Sequence, residues 1–280
     1  MTSPPATLDS ITPGSNLSLW LSPNSDRAWA EKFFLAYSPV WMLSMGLMMV
    51  TGWQGTFSDG ALLLHSLSVA LPLWILPALL YPSARLGKRW HKSYWFKANL
   101  YIGLFSIFGN YFGSEYFFDV LGMVYQFPNA TTTLDPALVG HNEKSVPVIM
   151  YLYTHAYFMT YHTTAVMVLR RLMNSGLPFK PLLFLPLTLL VGYTWAWLET
   201  KAMANPMMAT SFYYENMEAM LAFGSLIYAT YFIASFPIFY FMDESKTKPW
   251  SLLQVSAAGL SASMLVFYLL EICAHQVNSL

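Results

Sequence analysis

Charge is what this sequence is short of. Only 10% of its 280 residues are Asp, Glu, Lys or Arg, while 56% are hydrophobic; an ordinary soluble domain carries about 25% charged residues. Charge this sparse cannot cover a soluble surface of this size, which points to a membrane protein. Cysteine is nearly absent as well. The single Cys273 excludes an intrachain disulfide framework and any multi-cysteine zinc or iron–sulfur site. Net charge is zero and the basic residues form no compact patch, so nucleic acid is excluded as a partner. Residues 1–30 are polar and rich in Pro and Ser, without an apolar core ahead of a small-residue cleavage site. The expectation is that no leader is removed and that the first membrane helix serves as targeting signal. The 6 histidines are scattered, whereas membrane di-iron enzymes cluster theirs. No Lys follows Lys248 to hold retinal in a last helix, and there is no phosphate-cradling Gly loop or dinucleotide fingerprint.

What the chain has instead is long apolar runs. Stretches able to cross roughly 30 Å of hydrocarbon fall at about 33–51, 61–81, 95–118, 147–169, 181–200, 217–241 and 251–273. Prolines interrupt several of them (Pro39, Pro72, Pro77, Pro186, Pro237), which membrane helices tolerate when neighbours satisfy the freed carbonyls. The expected architecture is all-α: a polytopic bundle of about seven transmembrane helices. It forms one domain over 31–280 behind a polar tail over 1–30. Of the 14 Lys and Arg, 12 fall in the tail and in alternate loops, leaving Lys144 and Lys201 on the other side. By the positive-inside rule the N-terminus is then cytoplasmic and the C-terminus lies across the membrane. Two glycosylation acceptor patterns, Asn16-Leu-Ser18 and Asn129-Ala-Thr131, are expected on opposite sides, with Asn129 in the lumen.

Within these runs lie titratable residues that a passive anchor would not need. A charge at a bilayer centre costs about 2.5–3.5 kcal/mol on insertion scales, so such residues usually face a protein interior. His155 and His162 sit seven residues apart, nearly two helical turns, and so share a face with Tyr151 and Phe158 beside and between them. Either imidazole can give or take a proton near neutrality; the plainer alternative is a pair of core histidines bonded to neighbouring helices. In the third run Asn99, Gly103, Ser106, Asn110 and Gly113 make a small, polar stripe suited to close helix packing, and Asn110 is its member best able to reach a ligand. Glu115 and Asp119 lie one turn apart at the end of that run. Glu199 follows Trp195 and Trp197 at the end of the fifth run. Shielded from water by Trp195 it would hold a proton at neutral pH, as a general acid must; as an interfacial residue it would merely be solvated. Glu215 and Glu218 open the sixth run with the same ambiguity. With 20 Phe, 18 Tyr and 10 Trp, aromatic faces are plentiful, and each attracts a cation by about 0.5–2 kcal/mol.

Several strings resemble the plant cycloeucalenol cycloisomerases, or cyclopropyl sterol isomerases. They are Trp95-Phe-Lys-Ala-Asn-Leu-Tyr101, Gly109-Asn-Tyr-Phe112, Tyr116-Phe-Phe-Asp-Val-Leu-Gly122, Thr154-His155, Tyr161-His162, Leu169-Arg-Arg171, Leu198-Glu199-Thr200, Ala204-Asn205 and Ser235-Phe-Pro237. Met242-Asp-Glu244 and the N-terminal Ser18-Leu-Trp-Leu-Ser-Pro-Asn24 also match, so the likeness runs in order from about 18 to 244. The family pattern has His where this chain has Glu115, a shorter loop around Thr131–Lys144, and an apolar residue in place of Lys201. The resemblance implies conversion of cycloeucalenol to obtusifoliol in the endoplasmic reticulum membrane, or the inner membrane of a bacterial host. It implies no cofactor and no metal. The partners expected are a cyclopropyl sterol and the lipid bilayer. Such chemistry needs an acid, a base and a dry aromatic wall. Glu199 is the expected acid, His155 or His162 the expected base, and Glu115 a further candidate. Asn110, Tyr111, Tyr151, Phe158, Trp195 and Glu215 are expected to bind substrate. The alternatives are a double-bond isomerase resembling the emopamil-binding protein, a non-catalytic sterol carrier, and a proton-coupled transporter.

Overall fold

A computed structural model describes residues 19–81, 89–141, 144–245 and 247–277; Asn16 of the first acceptor pattern lies outside them, as do Arg85, Lys88 and Lys246, three of the basic residues counted toward orientation. The first helix, α1 (Ser25–Thr51), begins inside the stretch read as a polar tail. Asn24 explains this: its side chain accepts from the Asp26 amide and starts the helix early. At the other end Gly52 takes a left-handed conformation (φ 70°) and returns its N–H to the carbonyls of Met48 and Met49, a stop that favours glycine. A single turn, α2 (Trp53–Thr56), leads to α3 (Asp59–Ala70), which continues through Leu71 into α4 (Pro72–Leu80), with Pro72 tolerated as the first helical residue.

Then come α5 (Tyr94–Phe108), a π-helical turn at Gly109–Gly113 and α6 (Ser114–Asp119). After strand β1 (Met123–Tyr125) and a long loop, α7 (Val148–Met173) and α8 (Lys180–Met203) follow. Strand β2 (Phe212–Tyr214) precedes α9 (Met217–Ala219), a second π turn at Met220–Gly224, and α10 (Ser225–Phe241). The last helix, α11 (Leu252–Gln276), opens on a capping box between Ser251 and Gln254. The strands form one antiparallel pair with Val124 opposite Tyr213, a small departure from the expected all-α chain.

Among the described residues, five helical segments are long and apolar enough to cross a membrane: Ser25–Thr51, Asp59–Leu80, Lys180–Met203, Met217–Phe241 and Leu252–Gln276. The other two long stretches, α5–α6 and α7, are not among them. Lys97, Asn99, Asn110 and Glu115 dilute the first, and two histidines with several threonines dilute the second. These are interior elements. Helix α7 packs against α1, α3, α5, α8 and α10, and nearly every residue from Ile149 to Arg170 is at least half-buried. A helix covered by protein on all sides need not be apolar. The outer helices instead expose leucines such as Leu43, Leu64, Leu79, Leu182 and Leu253, which suits contact with lipid.

One end of the bundle is locked by buried ions. Arg170 on α7 reaches Glu31 on α1 at 2.7 Å and Glu244 beyond α10 at 2.7 Å. Arg27 pairs with Glu31 at 2.8 Å and Glu244 at 3.0 Å, and Lys97 pairs with Asp243 at 2.5 Å. Three basic residues counted toward orientation therefore also clamp α1, α5, α7 and α10 together.

Candidate active site

At the other end, α7, α8 and α10 converge with the π turn of Gly109–Gly113 and the strand pair around a pocket. It encloses about 590 Å³ of space, its open mouth included. Helix α8 comes close to α10 because Gly192 lies against it: a Cβ there would stand 2.9 Å from that of Phe232. This approach carries Glu199, one turn from the end of α8, onto the pocket wall opposite α10. The hydroxyl of Tyr228 on α10 donates to Glu199 Oε2 at 2.6 Å. Tyr161 on α7 also hydrogen-bonds Glu199, and its ring stacks on Trp195 with centroids 4.3 Å apart. Two phenols on two helices thus fix one carboxyl.

Much of the rest of the wall is aromatic. Tyr157 and Phe158 come from α7, Tyr228 and Tyr231 from α10, Phe117 from α6, and Tyr125, Phe212 and Tyr214 from the strands. Phe117 meets Tyr228 edge-on at 4.8 Å. Burial pushes the Tyr125 and Tyr214 hydroxyls up from their ordinary range, so both keep their protons and remain donors. Among the described residues lining the pocket, Glu199 is the one carboxyl, and neither Lys, Arg nor His is present.

The π turn shapes the opposite side. Gly109 and Gly113 lie under the Tyr231 ring, and a Cβ at Gly113 would collide with its hydroxyl. The widened turn directs Asn110 to the wall, where it donates to the Ser106 carbonyl at 2.9 Å and accepts from Thr154 at 3.4 Å. Single π turns inside α-helices often mark functional sites.

A relative from Arabidopsis thaliana named "Cycloeucalenol cycloisomerase" is 40% identical over 266 residues, which is 92% of this chain and 89% of the relative. The chain belongs to the cycloeucalenol cycloisomerase family. It is therefore an isomerase. No family model matches, and neither does any solved structure.

In this chain the expected site residues fall into two groups. Glu199, Asn110 and Phe158 share the pocket wall, with Trp195 just behind, stacked on Tyr161. The others are elsewhere. His155 bonds Asn99 Oδ1 at 2.9 Å and stacks on Trp74. His162 is fully buried, bonded to the Phe158 carbonyl at 2.7 Å and to Ser235 Oγ at 2.9 Å, within a ring of Phe105, Phe236 and Phe239. Neither imidazole lines the pocket. Glu115 is buried under the long loop against Gly140. Tyr151 donates to the Leu134 carbonyl of the same loop, Tyr111 packs edge-on against Phe112, and Glu215 is exposed at the rim with Lys144 4.0 Å away.

Tyr157, Tyr161, Tyr228 and Tyr231 were not among the residues expected at the site. Tyr228 and Tyr231, three apart, share one helix face, as do Tyr157 and Tyr161, four apart. That spacing was visible, but in a chain with 18 Tyr nothing separated these from packing residues.

Proposed function

We propose that this isomerase opens the 9β,19-cyclopropane ring of a 4-methyl cyclopropyl sterol, turning cycloeucalenol into obtusifoliol, with Glu199 as the acid. The observation that carries the reading is a carboxyl held by Tyr228, single among the described lining residues, in a pocket otherwise built of aromatic, methionine and small polar side chains. In the reaction the C9–C19 bonding pair takes the carboxyl proton, so C19 becomes a methyl group and positive charge develops at C9. Loss of the C8 hydrogen as a proton then leaves the Δ8 double bond, and the sum is an isomerisation without oxidant or reductant. Ring faces of Tyr157, Phe158, Tyr228 and Tyr231 stabilise the cation, each by about 0.5–2 kcal/mol. Glu199, left as a carboxylate, is suited to take up the C8 proton and return to its starting state. General acid–base groups of this kind each contribute about 10²–10⁴ in rate.

In this reading His155 and His162 serve the site from behind the wall. The first ties α7 to α5 through Asn99 and the second ties α7 to α10 through Ser235. Asn110 and Thr154 offer a polar grip for the sterol. The protein works as a single domain of seven spans in the endoplasmic reticulum membrane, α5–α6 and α7 being the two interior spans, with its N-terminus in the cytoplasm. The test is purified protein with cycloeucalenol and no added cofactor. Wild type should yield obtusifoliol and Glu199→Gln should yield none while still binding the sterol. A double-bond isomerase would leave the cyclopropane intact, and a carrier would bind without turnover.

A further inference from the structure

Trp195 stands one turn before Glu199 on α8, behind the pocket wall and not on it. Gly192, Trp195, Ala196 and Glu199 fall at the spacing of one helix face. Tyr161 of α7 touches that face twice. Its ring stacks on the Trp195 indole, with centroids 4.3 Å apart and planes 23° from parallel. Its hydroxyl bonds the Glu199 carboxyl. Phe232 of α10 comes edge-on to the same ring at 5.9 Å, and packs on the bare backbone of Gly192, where a Cβ would stand 2.9 Å from its own.

We infer that Trp195 is a positioning residue for the acid, not a contact for the sterol: its indole fixes the Tyr161 ring, and Tyr161 in turn fixes a hydrogen bond to Glu199. This rests on the reading of Glu199 as the acid. A phenol hydroxyl sits at the end of a long lever, so a small rotation about the side-chain torsions carries it out of hydrogen-bond range. A stacked partner opposes that rotation. Indole and carboxyl hang from one helix four residues apart, so a ring laid on the first delivers its hydroxyl to the second. Tyr228 holds the same carboxyl from α10 with no contact to the indole. A change at Trp195 therefore reaches the chemistry through Tyr161 and spares substrate binding.

The experiment is a double-mutant cycle on cycloeucalenol turnover by the purified full chain, with kcat per folded molecule and KM measured for each variant. Tyr161→Phe keeps the ring and removes the hydroxyl, and kcat should fall about 10–100-fold. Trp195→Leu keeps the hydroxyl and removes the stacked face. Here kcat should fall about 2–10-fold, the size expected of one aromatic pair, with KM close to wild type. In the Tyr161→Phe background Trp195→Leu should lower kcat no further, because the hydroxyl it positions is gone. Trp195→Phe restores an aromatic face and should recover most of the loss, and the adaptable Trp195→Met takes the place of Trp195→Leu if that variant does not fold. Equal losses of kcat in both backgrounds, or a raised KM with kcat intact, would overturn the positioning role. Glu199→Gln, run beside the cycle, separates the two readings: normal turnover there would overturn Glu199 as the acid, whereas an inactive Glu199→Gln with equal losses in the cycle would overturn the role of Trp195 alone.

Discussion

The Tyr228 hydroxyl donates to Glu199 Oε2 at 2.6 Å across the α8–α10 contact. One helix thus supplies the carboxyl and its neighbour fixes where it points. This bond strengthens as Glu199 gives up its proton and becomes a carboxylate, and a hydrogen bond to an ionised group contributes about 1.5–3 kcal/mol. Tyr228→Phe should therefore lower kcat by about 10–100-fold and change KM for cycloeucalenol little, because the phenyl ring remains in the wall. A KM rise with kcat intact would make Tyr228 a binding residue only.

The histidines separate structure from catalysis. His162 is fully buried with both ring nitrogens bonded, so His162→Ala should leave Ser235 unsatisfied and a void among phenylalanines. A loss of about 2–4 kcal/mol is expected from such a change, read as a lower Tm in detergent, with activity per folded molecule reduced far less than in Glu199→Gln. If turnover vanished at an unchanged Tm, His162 would be the base after all.

The ionic clamp gives the fold an acid limit. Burial pushes the Glu244 carboxyl up, but the hydrogen bond from Arg170 and the charges of Arg27 and Arg170 outweigh it and hold the group below its ordinary value of 4.5. A carboxyl depressed in the folded state stabilises the protein above its unfolded value, and that stability is lost as pH falls through the folded value. Thermal melts should therefore be flat from pH 7 to about 5 and fall below about 4.5, and Glu244→Gln should flatten that acid limb.

Asn129 reports on orientation. Its side chain, in the loop after β1, donates to the Gly55 carbonyl of α2, on the side expected to be luminal. Expression in a eukaryotic host should give a glycan at Asn129 and none at Asn16, read as a mobility shift removed by endoglycosidase and by Asn129→Gln. A glycan at Asn16 alone would reverse the orientation.

Much of the helical framework could be read from the apolar runs, since length and composition suffice to define an element that must satisfy its own backbone in lipid. Glu199 was also legible, as a carboxyl beside Trp195 at the end of such a run. What it touches was not. Its partner Tyr228 is 29 residues away, and nothing local distinguishes that phenol from others in the chain. The π turn at Gly109–Gly113 was equally hidden, because it depends on Tyr231 packing over two glycines from another helix. His155 and His162 were read as a shared face, and they do share helix α7, but the side chains that claim them, Asn99 and Ser235, come from α5 and α10. Tertiary partners set a role that spacing alone left open.

Turnover in heavy water tests the central claim most directly. The proton of a pocket carboxyl such as Glu199 exchanges whenever water reaches the site between turnovers. Cycloeucalenol incubated in deuterium oxide with the purified protein, and with no nicotinamide, flavin or metal added, should give obtusifoliol carrying one deuterium in the newly formed angular methyl group. Product formed at the normal rate with that methyl group unlabelled would contradict an acid-initiated opening by Glu199.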